Sequence, residues 1–294
     1  MTETRSGDGA VFEIVAVQSG AMSLRSKEFG ETFHPVVGPM VEARVLHVEQ
    51  QRFLERAAGA AEVFTIWDVG LGAAANALAV IGAFRGFSGG ALVELHSFDR
   101  TLAPLRFALE HAQELSYLTS CAERLRSWIG SGETHTVWGP VHWHLHVEDF
   151  RQTIATKRVR APHAIIYDPY SARSNPELWT LEHFTQLHAC LSPAAPCLLT
   201  NYTRSTAVRV TLLLAGFFVG RGCATGEKSE TTIATNARDL LNAPLDTGWL
   251  ERVRRSTGSA PLRLRPGNSA AISREDFSAL CQHPQFSIPA VVSQ

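Results

Sequence analysis

The chain has 294 residues, room for one large α/β domain or two small ones, and 45% of them are hydrophobic, which excludes disorder for most of its length. With 27 Lys and Arg against 28 Asp and Glu the formal net charge is −1, so a nucleic-acid or anionic-membrane partner must find a local basic patch. Five cysteines at irregular spacing, without a C-x-x-C pair, indicate neither a disulfide framework nor a zinc site.

The first residues lack the basic-then-apolar layout of a signal segment. The longest apolar stretch, around 212–220, is too short to span a bilayer. The expectation is a cytoplasmic protein with reduced thiols and no membrane partner.

In chain order, residues 1–26 read as a loosely specified lead-in. A helix is predicted over 41–58, punctuated at its start by Gly38-Pro39 and striped by Val41, Val45, Val48 and Phe53. The β-rich run 63–68 ends in a glycine turn, and an alanine-rich helix over 73–84 follows. After a loop at 86–90 come a strand over 92–98 closed by Asp99 and a helix over 104–115. A polar stretch over 116–140 precedes the strand 141–147, closed by Glu148-Asp149, and the strand 164–167 is closed by Asp168-Pro169-Tyr170.

Asn175-Pro176-Glu177 supplies an N-cap, a first-turn proline and an early acid for a helix reaching about 191. A strand over 197–202 and a helix over 206–215 that stops at Gly216 lead to two strands, 217–220 and 231–235. These two are too close for a helical crossover and should pair antiparallel. From Arg238 the chain shows no clear period. The alternation predicts an α/β fold, a seven-stranded, mostly parallel, doubly wound sheet with a C-terminal antiparallel β-hairpin. The expected divisions are a lead-in and helix at 1–60, a main domain at 61–236 and an appendage at 237–294.

Asp68-Val69-Gly70-Leu71-Gly72-Ala73-Ala74-Ala75-Asn76 follows a strand and opens a helix, where glycines let the backbone turn sharply and approach a ligand. The third glycine of a dinucleotide fingerprint is absent, and Asp68 stands two residues before the first. That favours a ligand with an ammonium group over one with a pyrophosphate, and S-adenosylmethionine fits. Asp99 is placed to accept from both ribose hydroxyls, and Asp149 or Glu148 from the adenine amino group. All three positions are carboxyl ends of predicted strands, where open α/β sheets bind ligands. His142, His144 and His146 share one face of what reads as an edge strand, and a solvent-facing strand explains them better than a metal site.

Asp168-Pro169-Tyr170 is similar in outline to the D-P-P-Y motif of amino-methylating DNA enzymes. The longer string Asp168-Pro169-Tyr170-Ser171-Ala172-Arg173-Ser174-Asn175-Pro176-Glu177-Leu178-Trp179 resembles more closely the D-x-F-x-P-x-x-N-P-E-x-W signature of tRNA (5-methylaminomethyl-2-thiouridine) methyltransferases. These form the methyltransferase half of the bifunctional MnmC enzymes and also exist alone. Gly30-Glu31-Thr32-Phe33-His34, Gly38 and Glu42 resemble the family's lead-in, and Asp68 to Asn76 its glycine loop. Ser97-Phe98-Asp99 resembles its ribose acid, and Gly216-Phe217 with Gly226-Glu227-Lys228-Ser229-Glu230 its closing hairpin. The likeness runs over roughly 27–236. Ala74, Ala172 and Pro193-Ala194-Ala195 depart from the pattern without removing a chemical group; Ala74 in place of the third glycine reads as a mild change.

The resemblance implies a Rossmann-like class I S-adenosylmethionine-dependent methyltransferase that methylates the exocyclic amine of 5-aminomethyl-(2-thio)uridine at the tRNA wobble position, releasing S-adenosylhomocysteine. It implies no metal and no flavin, the stretch beyond 236 being too short for a flavin fold. The implied cofactor residues are Glu42, Asp68, Gly70, Gly72, Asn76, Asp99, Glu148, Asp149 and Asp168. Asp168 is the implied catalytic group, orienting the amine first and removing its proton second, since a carboxyl with an ordinary pKa of about 4 is a poor base for an alkylamine.

Tyr170, Tyr202 and Arg204 would meet the substrate, with Trp179 better read as core. The implied partners are the tRNA anticodon stem-loop and a separate enzyme that supplies the aminomethyl group. Lys157, Arg158 and Arg160, or Arg252, Arg254, Arg255, Arg263 and Arg265, are candidate phosphate contacts, though such runs are usually solvated faces. Two other readings stay open: methylation of another nucleobase or small-molecule amine, and a non-catalytic binding module of the same fold.

Overall fold

The computed structural model describes residues 11–226, 228–264 and 270–287. Residues 1–10 of the lead-in, Glu227 of the hairpin loop, and 265–269 (with Arg265) and 288–294 of the appendage lie outside the described residues. Two sheets organise the chain. The first is a small antiparallel sheet of β1 (Phe12–Ala16), β2 (Met22–Ser26) and β3 (Glu31–Thr32).

The second is built from β4 (Val63–Val69), β5 (Leu92–Asp99), β6 (His135–Trp138), β7 (Val141–Val147), β8 (Ala164–Tyr167), β9 (Leu198–Asn201), β10 (Phe218–Gly222) and β11 (Thr231–Thr235). Its order is β10-β11-β9-β8-β4-β5-β7-β6. The strands from β9 to β7 run parallel, while β10, β11 and β6 are antiparallel additions. β4 and β8 are buried on both faces, which is why β8 is wholly apolar and β4 departs from that only at Thr65 and Asp68. One face packs Ile66, Val93, Leu95 and Trp143 among apolar neighbours. The other packs Trp67, Phe98, Ile165 and Tyr167.

The order matches the predicted doubly wound sheet and its closing hairpin, with an eighth strand added. β6 lies inside the stretch read as polar, so β7 is not the edge. Its histidines are therefore not simply solvent-facing. His144 stacks between His96 and His135, with ring centroids 4.5 Å away on each side, and His146 stacks on Phe98 at 4.7 Å. Burial, reinforced by the neighbouring imidazoles, pushes His96 down to about 3 and His144 to about 4. Among the described residues no cluster of three or more His, Cys, Asp or Glu is arranged to hold a metal ion. Nor is any described helix long and apolar enough to cross a membrane.

Other boundaries moved for identifiable reasons. The helix expected over 41–58 is broken into an α turn at Pro39–Glu42, a wider π turn at Ala43–Glu49 and an α-helix at Phe53–Ala58, with Arg52 left-handed at φ 50°. The break lets two buried side chains reach one hydroxyl. His47 Nδ1 lies 2.8 Å from Thr200 Oγ1, and Gln51 Nε2 donates to the same oxygen at 2.7 Å and to the Ile165 carbonyl at 3.0 Å. After Asn175 a single tight turn, Pro176–Leu178, comes first, and Thr180 then caps the helix Leu181–Ala189. Trp179 forces this offset: it is fully buried, as its core reading required, and its Nε1 donates to the Tyr170 carbonyl at 2.8 Å.

The described part of 237–287 does not stand apart from the sheet. Trp249, Leu250, Val253 and Leu280 join the apolar cluster behind β8 and β9, and Gln285 bridges the backbones of Val219 and Leu245.

Candidate active site

The carboxyl ends of β4, β5, β7 and β8 open into a cleft of about 1350 Å³, roofed by the small sheet. A crevice there is what a parallel sheet builds, because each strand end turns away toward its helix. The floor is the turn after β4. Gly70 and Gly72 have φ of 95° and 51°, and a Cβ on Gly70 would stand 2.6 Å from the Asp168 carbonyl oxygen. Ala74 follows at φ 64°, so the missing third glycine is not mild: an L-residue in that conformation costs about 1–2 kcal/mol. The helix Ala75–Ala83 begins only after it.

Asp99 closes β5 and accepts from the Gly72 amide at 3.0 Å and the Thr101 amide at 3.3 Å. Burial raises its carboxyl against the pull of those bonds. Asp168 closes β8. Its Oδ2 accepts from Asn76 Nδ2 at 2.8 Å and lies 3.9 Å from His34 Nε2. Burial pushes the Asp168 carboxyl up to about 7, although the Asn76 bond and Lys228 act in the opposite direction. Glu42, 7% exposed, lines the same end of the cleft and is raised by burial, with His34 opposing.

The loop after Asp168 is fastened to the small sheet. Glu31 accepts from the Ser171 amide at 3.1 Å, from the Ser171 hydroxyl at 2.5 Å and from the Ser174 hydroxyl. Burial opposes ionisation of Glu31, and those bonds hold its carboxyl below the usual range. The Tyr170 ring packs on Phe29 and Phe33, centroids 4.5 and 5.5 Å away, so it roofs the cleft rather than standing free to stack on a base. Tyr202 donates to the Pro169 carbonyl at 3.2 Å, and Lys228 Nζ sits 4.9 Å over its ring.

Comparison with known proteins adds the chemistry. Residues 117–237 match a family described as S-adenosyl-L-methionine-dependent methyltransferase. The bifunctional tRNA 5-methylaminomethyl-2-thiouridine biosynthesis protein MnmC of Ralstonia nicotianae is 34% identical over 210 residues, covering 68% of this chain and 29% of that protein. Its counterpart in an Azoarcus species is 30% identical over 212 residues, 70% of this chain and 33% of the relative.

The chain belongs to the S-adenosyl-L-methionine-dependent methyltransferases. It spans about a third of the length of the curated relatives it matches. The crystal structure of MNMC2 from Aquifex aeolicus superposes with a TM-score of 0.67 at 22% identity, over 92% of this chain and 83% of that one, and shares its fold.

Most residues singled out from the sequence converge in this methyltransferase. Glu42, Gly70, Gly72, Asn76, Asp99, Glu148, Asp149, Asp168, Tyr170 and Tyr202 all line the cleft. Glu148 and Asp149 are already engaged. Glu148 accepts from Thr153 Oγ1 at 2.7 Å, while Asp149 caps the helix Phe150–Thr156 and pairs with Arg151 at 2.5 Å, which lowers its pKa.

Asp68 and Arg204 do not line the cleft. Arg204 is exposed, and among the described residues neither basic cluster reaches the lining. Asp68 is fully buried beneath the glycine turn and accepts from Ser97 Oγ at 2.7 Å, its other oxygen having no partner. Among the cleft residues that went unassigned in the sequence are Glu31, His34 and Lys228. Their only signal was membership of the lead-in and hairpin motifs.

Asp68 yields a stability prediction. Burial pushes its carboxyl up to about 8, helped by the charges of Asp168 and Asp99. A folded-state pKa above the unfolded one means the native state keeps a proton that the unfolded state releases. Stability should therefore decline as pH rises from about 4 toward 8. Asp68→Asn keeps an acceptor for Ser97 and should flatten that decline, raising the melting temperature at pH 8 by several degrees. Thermal unfolding between pH 5 and 9 checks it, and an unchanged slope would overturn it.

Proposed function

We propose that this methyltransferase transfers a methyl group from S-adenosylmethionine to the exocyclic amine of 5-aminomethyl-(2-thio)uridine at the wobble position of tRNA. The residues fit the cofactor. Glu42, Asp99, Glu148, Asp149 and Asp168 line the cleft against only Arg100, Arg106 and Lys228 among permanent cations of the described residues, which suits a ligand carrying positive charge. Asn76 Oδ1 is buried there without a partner, an acceptor suited to the ammonium of an amino acid tail. Asp99 and the amides of the glycine turn would hold the ribose and tail, and the volume leaves room for a second ligand. Bound S-adenosylmethionine supplies an electrophilic methyl group.

The observation that carries the reading is Asp168. An alkylamine is protonated near neutral pH and must lose a proton to become a nucleophile. A carboxyl near 4 is badly matched to that task, whereas one raised to about 7 is close to the working pH. Orientation and proton removal thus become comparable roles, where the sequence alone ranked orientation first. Asn76 holds Oδ2, so Oδ1 is the oxygen assigned to an incoming amine. The relatives whose names specify tRNA 5-methylaminomethyl-2-thiouridine biosynthesis support the choice of amine.

Nucleoside mass spectrometry tests it. Purified protein, S-adenosylmethionine and tRNA bearing 5-aminomethyl-2-thiouridine should yield that nucleoside with one added methyl. Unmodified nucleoside despite retained cofactor binding would overturn the choice of substrate.

A further inference from the structure

His34 has no part in the transfer described above, yet it occupies an unusual position. It is a non-glycine residue held at φ 47°, a conformation that costs an L-residue energy and clusters at functional sites. Its side chain is only 10% exposed, lines the cleft, and faces two carboxyl groups. On one side is Asp168, with Oδ2 at 3.9 Å from His34 Nε2. On the other is Glu42, from the α turn at Pro39–Glu42, whose charge opposes the burial that favours neutral imidazole. His47, from the π turn, is the further titratable group that feels His34, and Lys228 bears on both carboxyls from the hairpin loop. The result is an imidazole and two carboxyl groups lining one cleft.

Each turnover that starts from an ammonium must dispose of one proton. Asp168 lines the cleft, and its Oδ2 is the oxygen that meets both Asn76 and His34. Resting on the transfer reaction proposed above, we propose that His34 takes up from Asp168 the proton that the substrate ammonium delivers, resetting the carboxylate. The ammonium N–H bond breaks and its electron pair stays on nitrogen. An O–H bond forms on Asp168, then breaks as an N–H bond forms at His34 Nε2, and the imidazolium releases that proton to water. The 3.9 Å separation closes by a small ring rotation or through one water. His34 acts through Asp168, so it is a positioning and relay residue.

The test uses His34→Asn, because asparagine tolerates a left-handed backbone, and His34→Gln as a second geometry. Both side chains can hydrogen-bond to Asp168, and neither takes a proton. Multiple-turnover methylation of tRNA at pH 7 should fall about 10²-fold in each, with S-adenosylmethionine affinity unchanged by calorimetry. The deficit should shrink as pH rises and the amine loses its proton to water, and added imidazole should restore part of the rate of His34→Ala.

Independently of activity, the His34 imidazole followed by NMR in the ligand-free protein should titrate about one pH unit lower in Asp168→Asn than in wild type. A wild-type rate–pH curve in both His34→Asn and His34→Gln, or a His34 titration indifferent to Asp168, would overturn the relay alone. Wild-type protein that leaves the tRNA unmethylated would overturn the transfer reading and the relay with it.

Discussion

Asp168→Asn should lower methyl transfer at pH 7 by about 10²- to 10⁴-fold, far more than it lowers S-adenosylmethionine affinity. The amide oxygen can still accept from Asn76, so the 2.8 Å contact that anchors the side chain survives, and the fold has no reason to change. What disappears is the ability to take a proton. The wild-type rate should climb as pH rises through about 7, where the buried carboxyl ionises, and then level off. The sign follows from the role: the ionised form is the acceptor, so activity is lost as pH falls. In Asp168→Asn that inflection should vanish, leaving only the rise from spontaneous loss of the amine proton. Single-turnover rates from pH 5.5 to 9 decide it. A variant that keeps the inflection would show that Asp168 orients the amine and another group removes its proton.

The strands that build the cleft were legible because they are buried on both faces. All four residues of β8 are apolar without a break, and β4 is interrupted only by Thr65 and Asp68, a pattern that suits a parallel strand covered on both faces. Asp168 was legible for the same reason, as the first carboxyl after such a run, and Asp99 as the last residue of β5. Asp68 shows the limit of the rule. It belongs to the strand, where side chains alternate, and its pairing with Ser97 across β5 turns it into the sheet instead of out of its end.

The small sheet was hidden because β1 to β3 pair only with one another and bear on the site at long range. Glu31 meets Ser171, 140 residues away, and nothing local in Glu31-Thr32-Phe33-His34 announces that contact. β6 was missed inside a polar stretch because an edge strand needs only one apolar face. The fully buried Asp68 and the left-handed His34 and Ala74 have a common character. Each breaks a local rule, and each lies in or just beneath the cleft, where tertiary contacts override local preference.

The glycine turn and the Asp168 loop are one mechanical unit, and Gly70→Ala should reveal it. A Cβ on Gly70 would stand 2.6 Å from the Asp168 carbonyl oxygen, 2.9 Å from its carbonyl carbon and 3.0 Å from the Pro169 nitrogen. All three are backbone atoms, so no side-chain rotation relieves the overlap. Alanine at φ 95° also costs about 1–2 kcal/mol. The loop carrying Asp168 must therefore shift by about 1 Å, and a displacement of that size at a reacting group lowers a rate by about 10²-fold.

Glu31, bonded to Ser171 and Ser174, resists the shift from the other side, so strain should appear as lost stability too. The expected result is a lower melting temperature together with about 10²-fold slower methyl transfer. Gly82→Ala is the control: it lies in the helix Ala75–Ala83, an added Cβ there meets nothing within 4 Å, and the exchange should be neutral or stabilising. Wild-type turnover in Gly70→Ala would mean that the position of Asp168 is not set by the turn beneath it, and the case for a single preorganised cleft would fail.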